Sequence, residues 1–173
     1  ATVFMGVPTL YVRLLANAEP ARLTADVSKN MRLFIAGSAP LLIETFNEFR
    51  ERTGHTILER YGMSETCMLT SNPYDAKDGE RRGGTVGFPL PQVQVRVSDD
   101  KGGQCPVDEI AGIEVKGPNV FGGYWRMPEK TASEFRADGF FITGDLGRID
   151  ERGYVHIVGR AKDLIISGGF NVY

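Results

Sequence analysis

Apolar runs alternate with helically spaced apolar residues in the first part of the chain. Residues 2–7 and 31–36 are mainly apolar, which is typical of strands buried on both faces, and residues 56–61 are predicted to form a third strand. Pro8 begins a segment with leucines at helical spacing. A second such segment ends at Gly54, since glycine is common at helix C-termini. This alternation predicts an α/β fold with an incomplete, doubly wound parallel sheet and its helices.

Short alternating segments separated by glycines follow in the second part of the chain. Residues 93–97, 113–115 and 154–158 alternate apolar and polar side chains, and residues 140–142 form an apolar segment that we expect to end at a glycine turn. One helix is predicted at 128–136, because a proline stands at its start and a glycine just past its end. Short strands with glycine turns predict a small, twisted, β-barrel-like subdomain.

These patterns divide the chain into three parts. We expect an α/β part of a larger subdomain at residues 1–72, a β-rich subdomain at 73–160, and a hinge with the beginning of a connection at 161–173. The chain starts inside a predicted buried strand and stops inside a glycine-rich segment, so we expect an internal piece of a longer protein. The strand edges of an incomplete sheet are exposed, which favours self-association.

The charge balance and the cysteine content exclude several classes of protein. Lys and Arg number 20 and Asp and Glu 22, a net charge of −2, so we expect no binding to nucleic acid through bulk charge. Cys67 and Cys105 are too few for a disulfide framework and lack the spacing of a metal site. No segment has the ~18 apolar residues of a membrane-spanning helix, so no membrane insertion is expected. These features predict a cytoplasmic protein, with organelle targeting left open.

Candidate ligand-binding residues follow the predicted strands, where open α/β sheets bind ligands. The turn at 37–40 follows the second strand, and Tyr61, whose flat ring suits a nucleobase, ends the third. Glu65 and Thr66 are expected at a helix N-terminus. A carboxylate and a hydroxyl in that position suit Mg²⁺ and phosphate.

Two further candidates, Asp145 and Arg160, lie at glycine turns of the second part. Asp145 can accept hydrogen bonds from two ribose hydroxyls, and Arg160 can donate to the same sugar or to a phosphate. Taken singly, each is more often an ordinary turn residue. His55 and His156 are expected to be structural, so no Ser-His-Asp set is predicted.

Four motifs, taken together and in their order along the chain, favour a ligand-binding role for these candidates over that of ordinary turn residues. The segments YGMSET, GPNVFGGYW, DGFFITGD and GRAKDLIISGG together resemble the adenylate-forming enzymes, which include acyl-CoA synthetases, luciferases and peptide-synthetase adenylation domains. The resemblance covers essentially the whole chain. It implies an enzyme that joins a carboxylate to AMP using ATP and Mg²⁺, and that then transfers the acyl group to coenzyme A after a C-terminal domain rotates.

The resemblance also implies a role for each candidate residue. Tyr61 would stack on adenine, while Glu65 and Thr66 would be catalytic, with Glu65 serving Mg²⁺ and Thr66 the α-phosphate. Asp145 would bind the ribose hydroxyls, and Arg160 would support ribose and phosphate. The other implied positions are the adenine and acyl-pocket residues Gly37, Ser38 and Ala39, the nucleotide-motif residues Gly62 and Met63, the hinge Lys162, and Gly168 and Gly169 in the loop that enters the active site for the step with coenzyme A.

Two parts of the family pattern are absent from the sequence. The phosphate-binding loop of the family lies upstream of this segment, and the C-terminal domain with its catalytic lysine lies downstream. Without them, the β- and γ-phosphates and the reacting carboxylate lack their main positive partners. We therefore expect the full-length protein to be an acid–thiol ligase and this chain alone to be inactive.

Two arginines bear on the choice of carboxylic acid. The segments MGVPTLYVRLL and ERYGMSET, which contain Arg13 and Arg60, resemble the malonyl-CoA synthetases, whose substrate carries a second carboxylate. A guanidinium offers two parallel donors to a carboxylate, whereas it is a poor neighbour for a fatty acyl chain. We therefore assign Arg13 and Arg60 to the distal carboxylate of malonate.

Several alternatives stay open from the sequence. One or both arginines can form ordinary salt bridges, for instance between Arg60 and the adjoining Glu59. The substrate can be methylmalonate or another short-chain acid. A third hypothesis is a non-catalytic module that binds a nucleotide or a partner protein.

Overall fold

The computed structural model describes residues 1–17, 19, 22–163, 165–167 and 170–172. In chain order its elements are β1 (Val3–Gly6), α1 (Pro8–Asn17), α2 (Ala25–Ser28), β2 (Leu33–Ala36), α3 (Ile43–Thr53), β3 (Leu58–Met63), β4 (Cys67–Ser71), β5 (Phe88–Pro89), β6 (Gln94–Ser98), β7 (Ala111–Lys116), α4 (Pro128–Glu134), β8 (Phe141–Ile149), β9 (Val155–Arg160), β10 (Ile165–Ser167) and β11 (Phe170–Val172). Single 3₁₀ turns occur at Ala76–Asp78 and Ala161–Asp163.

The chain forms two compact units. The first comprises Ala1–Gly62 and Thr70–Phe88, and the second comprises Met63–Leu69 and Pro89–Tyr173. The loop after β4 belongs to the first unit because its side chains are bonded there: Arg81 Nη1 donates to the Thr56 carbonyl at 2.8 Å, and Asn72 Nδ2 donates to the Thr85 carbonyl at 2.8 Å. The predicted domain boundaries at residues 72 and 160 stay predictions.

A five-stranded sheet in the order β1-β2-β3-β4-β5 contains the three strands predicted from the first part of the sequence. Strands β1, β2 and β3 are parallel, with Phe4 opposite Phe34 and Ala36 opposite Glu59. Every residue of β2 is buried, in agreement with the apolar run that predicts it. The predicted parallel α/β architecture is confirmed.

Aromatic side chains form the core on one face of this sheet. Tyr11 and Phe49, from α1 and α3, are fully buried and meet edge to face at 5.3 Å. Phe34 meets Phe49 at 4.9 Å, and the Tyr11 hydroxyl donates to the Ile35 carbonyl at 2.7 Å. Leu33 and Leu58 lie in a smaller cluster on the other face. The alternation of side chains along β2 explains the two clusters.

The second unit contains an antiparallel sheet in the order β6-β7-β8-β9. Val95 faces Val115, and Val115 in turn faces Phe141. The expectation that the strand starting near residue 140 ends at Gly144 is wrong, because β8 continues to Ile149. Gly144 has φ 75°, a left-handed conformation that glycine adopts without strain. The strand therefore continues through this local irregularity and does not end there. The predicted separate β-rich part is confirmed.

The helices of the protein are too short or too polar to cross a membrane, as far as the structure describes them.

Candidate active site

The turn after β2 has a constrained backbone. Ser38 has φ 69°, in the left-handed region that residues with a side chain rarely adopt. Gly37 lies against β3, because a Cβ atom at this position would be 3.3 Å from the Arg60 carbonyl oxygen. Ser38 and Ala39 are exposed. The turn therefore places a solvent-exposed backbone segment beside β3, at the carboxyl end of β2. Open α/β sheets bind their ligands at this end of the strands.

Arg60 is half-buried in β3, immediately before Tyr61. Its Nε atom is buried and has no hydrogen-bond partner among the described residues. Successive side chains of a strand point to opposite faces, which argues against the alternative of an ion pair between Arg60 and Glu59. Tyr61 and Gly62 follow in the same strand and are half-buried. Arg60 is thus placed next to the predicted adenine-stacking residue with unmet donor capacity.

Glu59 is the buried neighbour of Arg60. Its side chain is 5% exposed, and its Oε1 atom has no hydrogen-bond partner in the described structure. Burial raises the pKa of Glu59 to about 8, and a hydrogen bond from the backbone of Gly84 offsets part of that rise. Glu59 is therefore mainly protonated near neutral pH and does not supply a counter-charge.

Arg13 lies on the exposed side of α1. The buried residues of this helix include Tyr11 and Leu15, which face the aromatic core. Arg13 and Arg60 both belong to the first unit, but Arg13 is exposed whereas Arg60 is half-buried.

Glu65 and Thr66 lie in a turn and not at the helix N-terminus expected from the sequence. The turn joins β3 to β4, with the Thr66 amide donating to the Met63 carbonyl at 3.1 Å. The fully buried Thr66 hydroxyl accepts from the Met63 amide and donates to the Cys67 carbonyl, both at 3.3 Å. The threonine closes the turn on itself, and Glu65 stays half-buried at its tip.

A tyrosine holds the carboxylate of Glu65. The Tyr124 hydroxyl lies 3.2 Å from Glu65 Oε1 and 2.7 Å from Glu134 Oε2. Lys130 Nζ lies 3.8 Å from Glu134 Oε1 and 4.5 Å from the centre of the Tyr124 ring. Desolvation, followed by the hydrogen bond to Glu134, raises the pKa of Tyr124 well above its ordinary value. The phenol therefore stays protonated, and its one proton is shared between two carboxyl oxygens, of which that of Glu134 is the nearer.

Asp145 and Arg160 are brought together, as their predicted shared ligand requires. They face each other across β8 and β9, and Arg160 Nε lies 2.8 Å from Asp145 Oδ1. Asp145 is 5% exposed, whereas the side chain of Arg160 is 57% exposed. A carboxylate accepts several hydrogen bonds at once, so this pair suits a vicinal diol beside an anionic group.

The remaining sequence candidates lie near the end of the chain. Lys162 is exposed in the single 3₁₀ turn that follows β9. Gly168 and Gly169 lie outside the described residues.

The donor set fits a singly ligated Mg²⁺ better than a transition metal. Within the described ranges, no three His, Cys, Asp or Glu side chains are grouped so that they could hold a metal ion. Mg²⁺ is usually held by one or two carboxylates together with substrate phosphates. Glu65, a half-buried carboxylate in a tight turn, meets that requirement.

A separate cavity and the two histidines do not involve the candidate residues. A cavity of about 340 Å³ in the first unit is lined by residues of the loop after β4 and by Arg50, His55 and Thr56. His55 Nε2 lies 3.0 Å from the Ser28 carbonyl, and His156 Nε2 lies 3.1 Å from Asp150 Oδ2. Both histidines make structural contacts.

Sequence reasoning missed the residues that surround the turn of Glu65. Asn119 Nδ2 donates to the Thr66 carbonyl at 2.6 Å and to the Met68 carbonyl at 3.0 Å. The Phe121 amide donates to the Glu65 carbonyl at 2.8 Å. These residues and Tyr124 belong to the segment GPNVFGGYW. This segment is one of the four motifs that resemble the adenylate-forming enzymes, but the sequence alone gave none of its residues a function. Its presence among those motifs is the sequence feature from which a functional role could have been predicted.

Comparisons with known proteins identify relatives along the whole chain. The malonate–CoA ligase of Arabidopsis thaliana is 41% identical over 177 residues, which cover 99% of this chain and 28% of that protein. The structure of ATP-bound MatB from Rhodopseudomonas palustris matches with a TM-score of 0.94 and 65% identity, covering 100% of this chain and 33% of that one. A malonyl-CoA ligase in a ternary product complex with methylmalonyl-CoA and AMP matches with a TM-score of 0.82 and 42% identity, covering 99% and 36%.

The matched relatives are about three times as long as this chain or longer. The chain spans 28% and 29% of the length of two curated plant relatives. A model of the family described as AMP-binding enzyme matches residues 1–125, well over half of the chain. Together with the structural matches, this confirms the resemblance to adenylate-forming enzymes: the chain belongs to the AMP-binding enzyme family.

Proposed function

We propose that this chain is the nucleotide- and carboxylate-binding part of a malonate–CoA ligase. In the full-length protein, a malonate carboxylate attacks the α-phosphorus of ATP, giving malonyl-adenylate and pyrophosphate. The thiol of coenzyme A then attacks the acyl carbon, giving malonyl-CoA and AMP. The similarity to the Arabidopsis malonate–CoA ligase and to ATP-bound MatB supports this assignment.

Arg60 is the residue on which the choice of malonate rests. Its Nε atom is buried without a partner among the described residues, and an unmet buried donor costs roughly 1–3 kcal/mol. Glu59 does not neutralise it, because it points to the other face and is mainly protonated. An anion beside Tyr61 meets this need, and the second carboxylate of malonate is such an anion. Arg13 is the proposed second partner of the same carboxylate.

The nucleotide roles are proposed residue by residue. In the first unit, Tyr61 stacks on the adenine. In the second unit, Asp145 accepts from the ribose hydroxyls and Arg160 supports ribose and phosphate. The other proposed nucleotide contacts are Gly37, Ser38, Ala39, Gly62 and Met63.

The turn of Glu65 and Thr66 is the proposed phosphate side of the site. Glu65 is the carboxylate that holds Mg²⁺, and Thr66 orients the α-phosphate. The bound Mg²⁺ supplies positive charge to the phosphate oxygens. The half-buried position of Glu65 and the hydrogen bond from Tyr124 support this role, because they leave the carboxylate accessible but fixed.

Replacement of Arg60 tests the assignment. In the full-length protein, Arg60→Met removes the guanidinium and keeps much of the volume. A hydrogen bond to a charged group contributes about 1.5–3 kcal/mol, so kcat/KM for malonate should fall at least about tenfold. The value for butyrate should hold or rise, since its apolar end no longer meets a buried charge. The measurement is pyrophosphate release with each acid.

The control is Arg50→Met, because Arg50 is exposed on α3 and contacts only Asn47, at 3.5 Å, among its recorded side-chain partners. It should leave the ratio of the two kcat/KM values unchanged. A parallel fall for both acids in Arg60→Met would show that the arginine supports the fold or the adenine site. No activity of the full-length protein with any carboxylate would favour the non-catalytic binding module.

Methylmalonate is a second candidate substrate. A related malonyl-CoA ligase is known in complex with methylmalonyl-CoA, and this acid has the same distal carboxylate. Direct competition between malonate and methylmalonate in the full-length protein identifies the preferred acid, since the ratio of products gives the ratio of kcat/KM values.

A further inference from the structure

Three residues of the segment Asn119–Tyr124 form hydrogen bonds to the turn of Glu65 or to the strand after it. The side-chain amide of Asn119 donates to the carbonyl of Thr66 in the turn at 2.6 Å and to the carbonyl of Met68 in β4 at 3.0 Å. The Phe121 amide donates to the Glu65 carbonyl at 2.8 Å. The Tyr124 hydroxyl reaches the Glu65 carboxyl at 3.2 Å. Backbone and side chain of Glu65 are therefore both held by one segment of the second unit.

We infer that Tyr124 is a positioning residue that fixes the orientation of the Glu65 carboxylate for a divalent cation bound with ATP. This inference deepens the proposed function and rests on it, because it takes Glu65 as the cation ligand. In this proposal Tyr124 acts through Glu65 and not on the cation or the substrate. Its hydroxyl contacts Oε1, so the other carboxylate oxygen would be left for the cation.

The tyrosine is well placed for this role because its own position is fixed. The Tyr124 amide donates to Thr131 Oγ1 at 2.9 Å, which ties it to α4. Gly123 has φ 135°, and a Cβ atom there would be 2.5 Å from Thr131 Cγ2, so only glycine allows this close approach. The ring of Phe121 meets the Tyr124 ring edge to face at 4.8 Å.

Glu134 completes the arrangement. It accepts from the Tyr124 hydroxyl at 2.7 Å, and Lys130 lies 3.8 Å from its other oxygen. The Tyr124 hydroxyl has one proton, so Glu65 and Glu134 share it as acceptors, and the hydroxyl stays between the two carboxyl groups. A hydrogen-bonded partner of a metal ligand typically sets its orientation, and its loss lowers metal affinity by about 10–100-fold.

The experiment measures Mn²⁺ binding to the full-length protein in the presence of ATP and without carboxylate or coenzyme A. Electron paramagnetic resonance counts free Mn²⁺, so the readout does not depend on turnover. The same titration with ATP and without protein gives the Mn²⁺ that ATP holds alone, and the difference is the Mn²⁺ bound with the protein. Tyr124→Phe removes only the hydroxyl and should weaken Mn²⁺ binding at least about tenfold. The melting temperature without metal should not change. Tyr74→Phe, the same substitution at an exposed tyrosine, should bind Mn²⁺ as the wild type does.

Two further variants, Glu65→Gln and Glu134→Ala, distinguish a wrong role for Tyr124 from a wrong role for Glu65. Glu65→Gln should abolish the Mn²⁺ binding that depends on ATP. If it does while Tyr124→Phe binds normally, the positioning role is wrong and the proposed role of Glu65 stands. If Glu65→Gln binds normally, both are wrong.

Glu134→Ala tests whether the second carboxylate is itself a ligand and provides a second readout should Tyr124→Phe not fold. This variant leaves Glu65 as the acceptor of the Tyr124 hydroxyl, so Mn²⁺ affinity should stay near the wild-type value. A loss as large as that of Glu65→Gln would assign Glu134 to the cation and overturn the positioning role. A fall in the metal-free melting temperature of Tyr124→Phe, with equal losses of ATP and Mn²⁺ binding, would reduce Tyr124 to a structural residue.

Discussion

At the scale of single residues, two neighbouring ionisable side chains of the first unit, one buried and one half-buried, differ in how they respond to burial. Glu59 and Arg60 are adjacent in β3, and each has a buried polar atom without a partner among the described residues. The alternation of the strand separates their side chains, so neither charge compensates the other. The unpartnered Nε donor of Arg60 favours an anionic ligand, whereas burial raises the pKa of Glu59, so Glu59 retains its proton.

Glu59 should make the stability of the protein depend on pH. Burial raises its pKa from 4.5 to about 8, so the unfolded chain loses this proton at lower pH than the folded one. Stability should therefore fall as pH rises from about 5 to about 8, by at most about 1.4 kcal/mol per pH unit, and then level off. Glu59→Gln cannot ionise and should flatten this dependence, so its melting temperature should exceed that of the wild type increasingly towards pH 8.

The matched control is Glu51→Gln, because Glu51 is exposed on α3. The melting temperature of this variant should differ from the wild type by the same small amount at pH 5 and at pH 8. An equally small, constant difference for Glu59→Gln would mean that Glu59 ionises normally and that water or another group compensates its charge.

The sequence pattern selects single candidate residues, but it does not show which of them are in contact. Asp145 and Arg160 were both candidates, and they face each other at 2.8 Å because β8 and β9 place them in register. Tyr124 and Glu65 are 59 positions apart, and their contact at 3.2 Å depends on how a loop returns to a turn. No local pattern of side chains records such a contact.

At the scale of the elements, the loop between β4 and β5 depends on one close approach. Gly87 has φ 78°, and a Cβ atom at this position would overlap the carbonyl of Ser71 and the amide of Asn72. Both are backbone atoms at the end of β4, so they cannot rotate away as a side chain can. The pairing of β4 with β5 therefore requires glycine here.

We predict that Gly87→Ala destabilises the protein more than Gly84→Ala. Gly84 has φ 75°, nearly the same, but its nearest recorded neighbour to an added Cβ is Ile43 Cδ1 at 3.7 Å, an ordinary contact. Gly84→Ala should therefore cost only the left-handed conformation, about 1–2 kcal/mol. Gly87→Ala adds a backbone clash, and overpacking typically costs a further ~1–3 kcal/mol or more.

Thermal unfolding of the two variants beside the wild type provides the comparison. The fall in melting temperature for Gly87→Ala should be about twice that for Gly84→Ala or larger, since ~1 kcal/mol shifts it by a few degrees. Equal falls would mean that the strand ends separate without cost and that the approach of Gly87 to Ser71 is not required.

Elements with a strong local signal were predicted well, and those held by distant contacts were not. The helix predicted to end at Gly54 does so, with φ 72° and a hydrogen bond from its amide to the Arg50 carbonyl. The residues after Gly62 were expected to start a helix, because Glu65 and Thr66 suit the first turn of one. Asn119 instead holds them in a turn from 53 positions away along the chain. The local sequence is compatible with both structures, so tertiary hydrogen bonds decide.

At the scale of the whole molecule, we propose that the chain supplies part of the catalytic cycle of a longer enzyme. In the family that it belongs to, the chain corresponds to about a third of the R. palustris structure. Its proposed contribution is to bind the adenylate and to present the hinge at Lys162.

Lys162→Pro in the full-length protein should separate the two half-reactions. Lys162 is exposed in the single 3₁₀ turn after β9, two residues after Arg160. It is the residue about which the C-terminal domain is proposed to rotate. Adenylate formation precedes this rotation, whereas transfer to coenzyme A requires a change of φ and ψ at the hinge. Proline fixes φ near −65° and should block that change. Malonate-dependent exchange of pyrophosphate with ATP should survive, while malonyl-CoA formation should fall.

Lys162→Ala distinguishes loss of rotation from loss of charge, because alanine removes the ammonium group and leaves φ free. It should retain both half-reactions at comparable rates, since an exposed lysine side chain contributes little to stability. If Lys162→Ala loses thioester formation as Lys162→Pro does, the charge of Lys162 acts in the second step. If Lys162→Pro loses both half-reactions equally, the hinge lies elsewhere, or proline disturbs the neighbouring Arg160 and the nucleotide site with it.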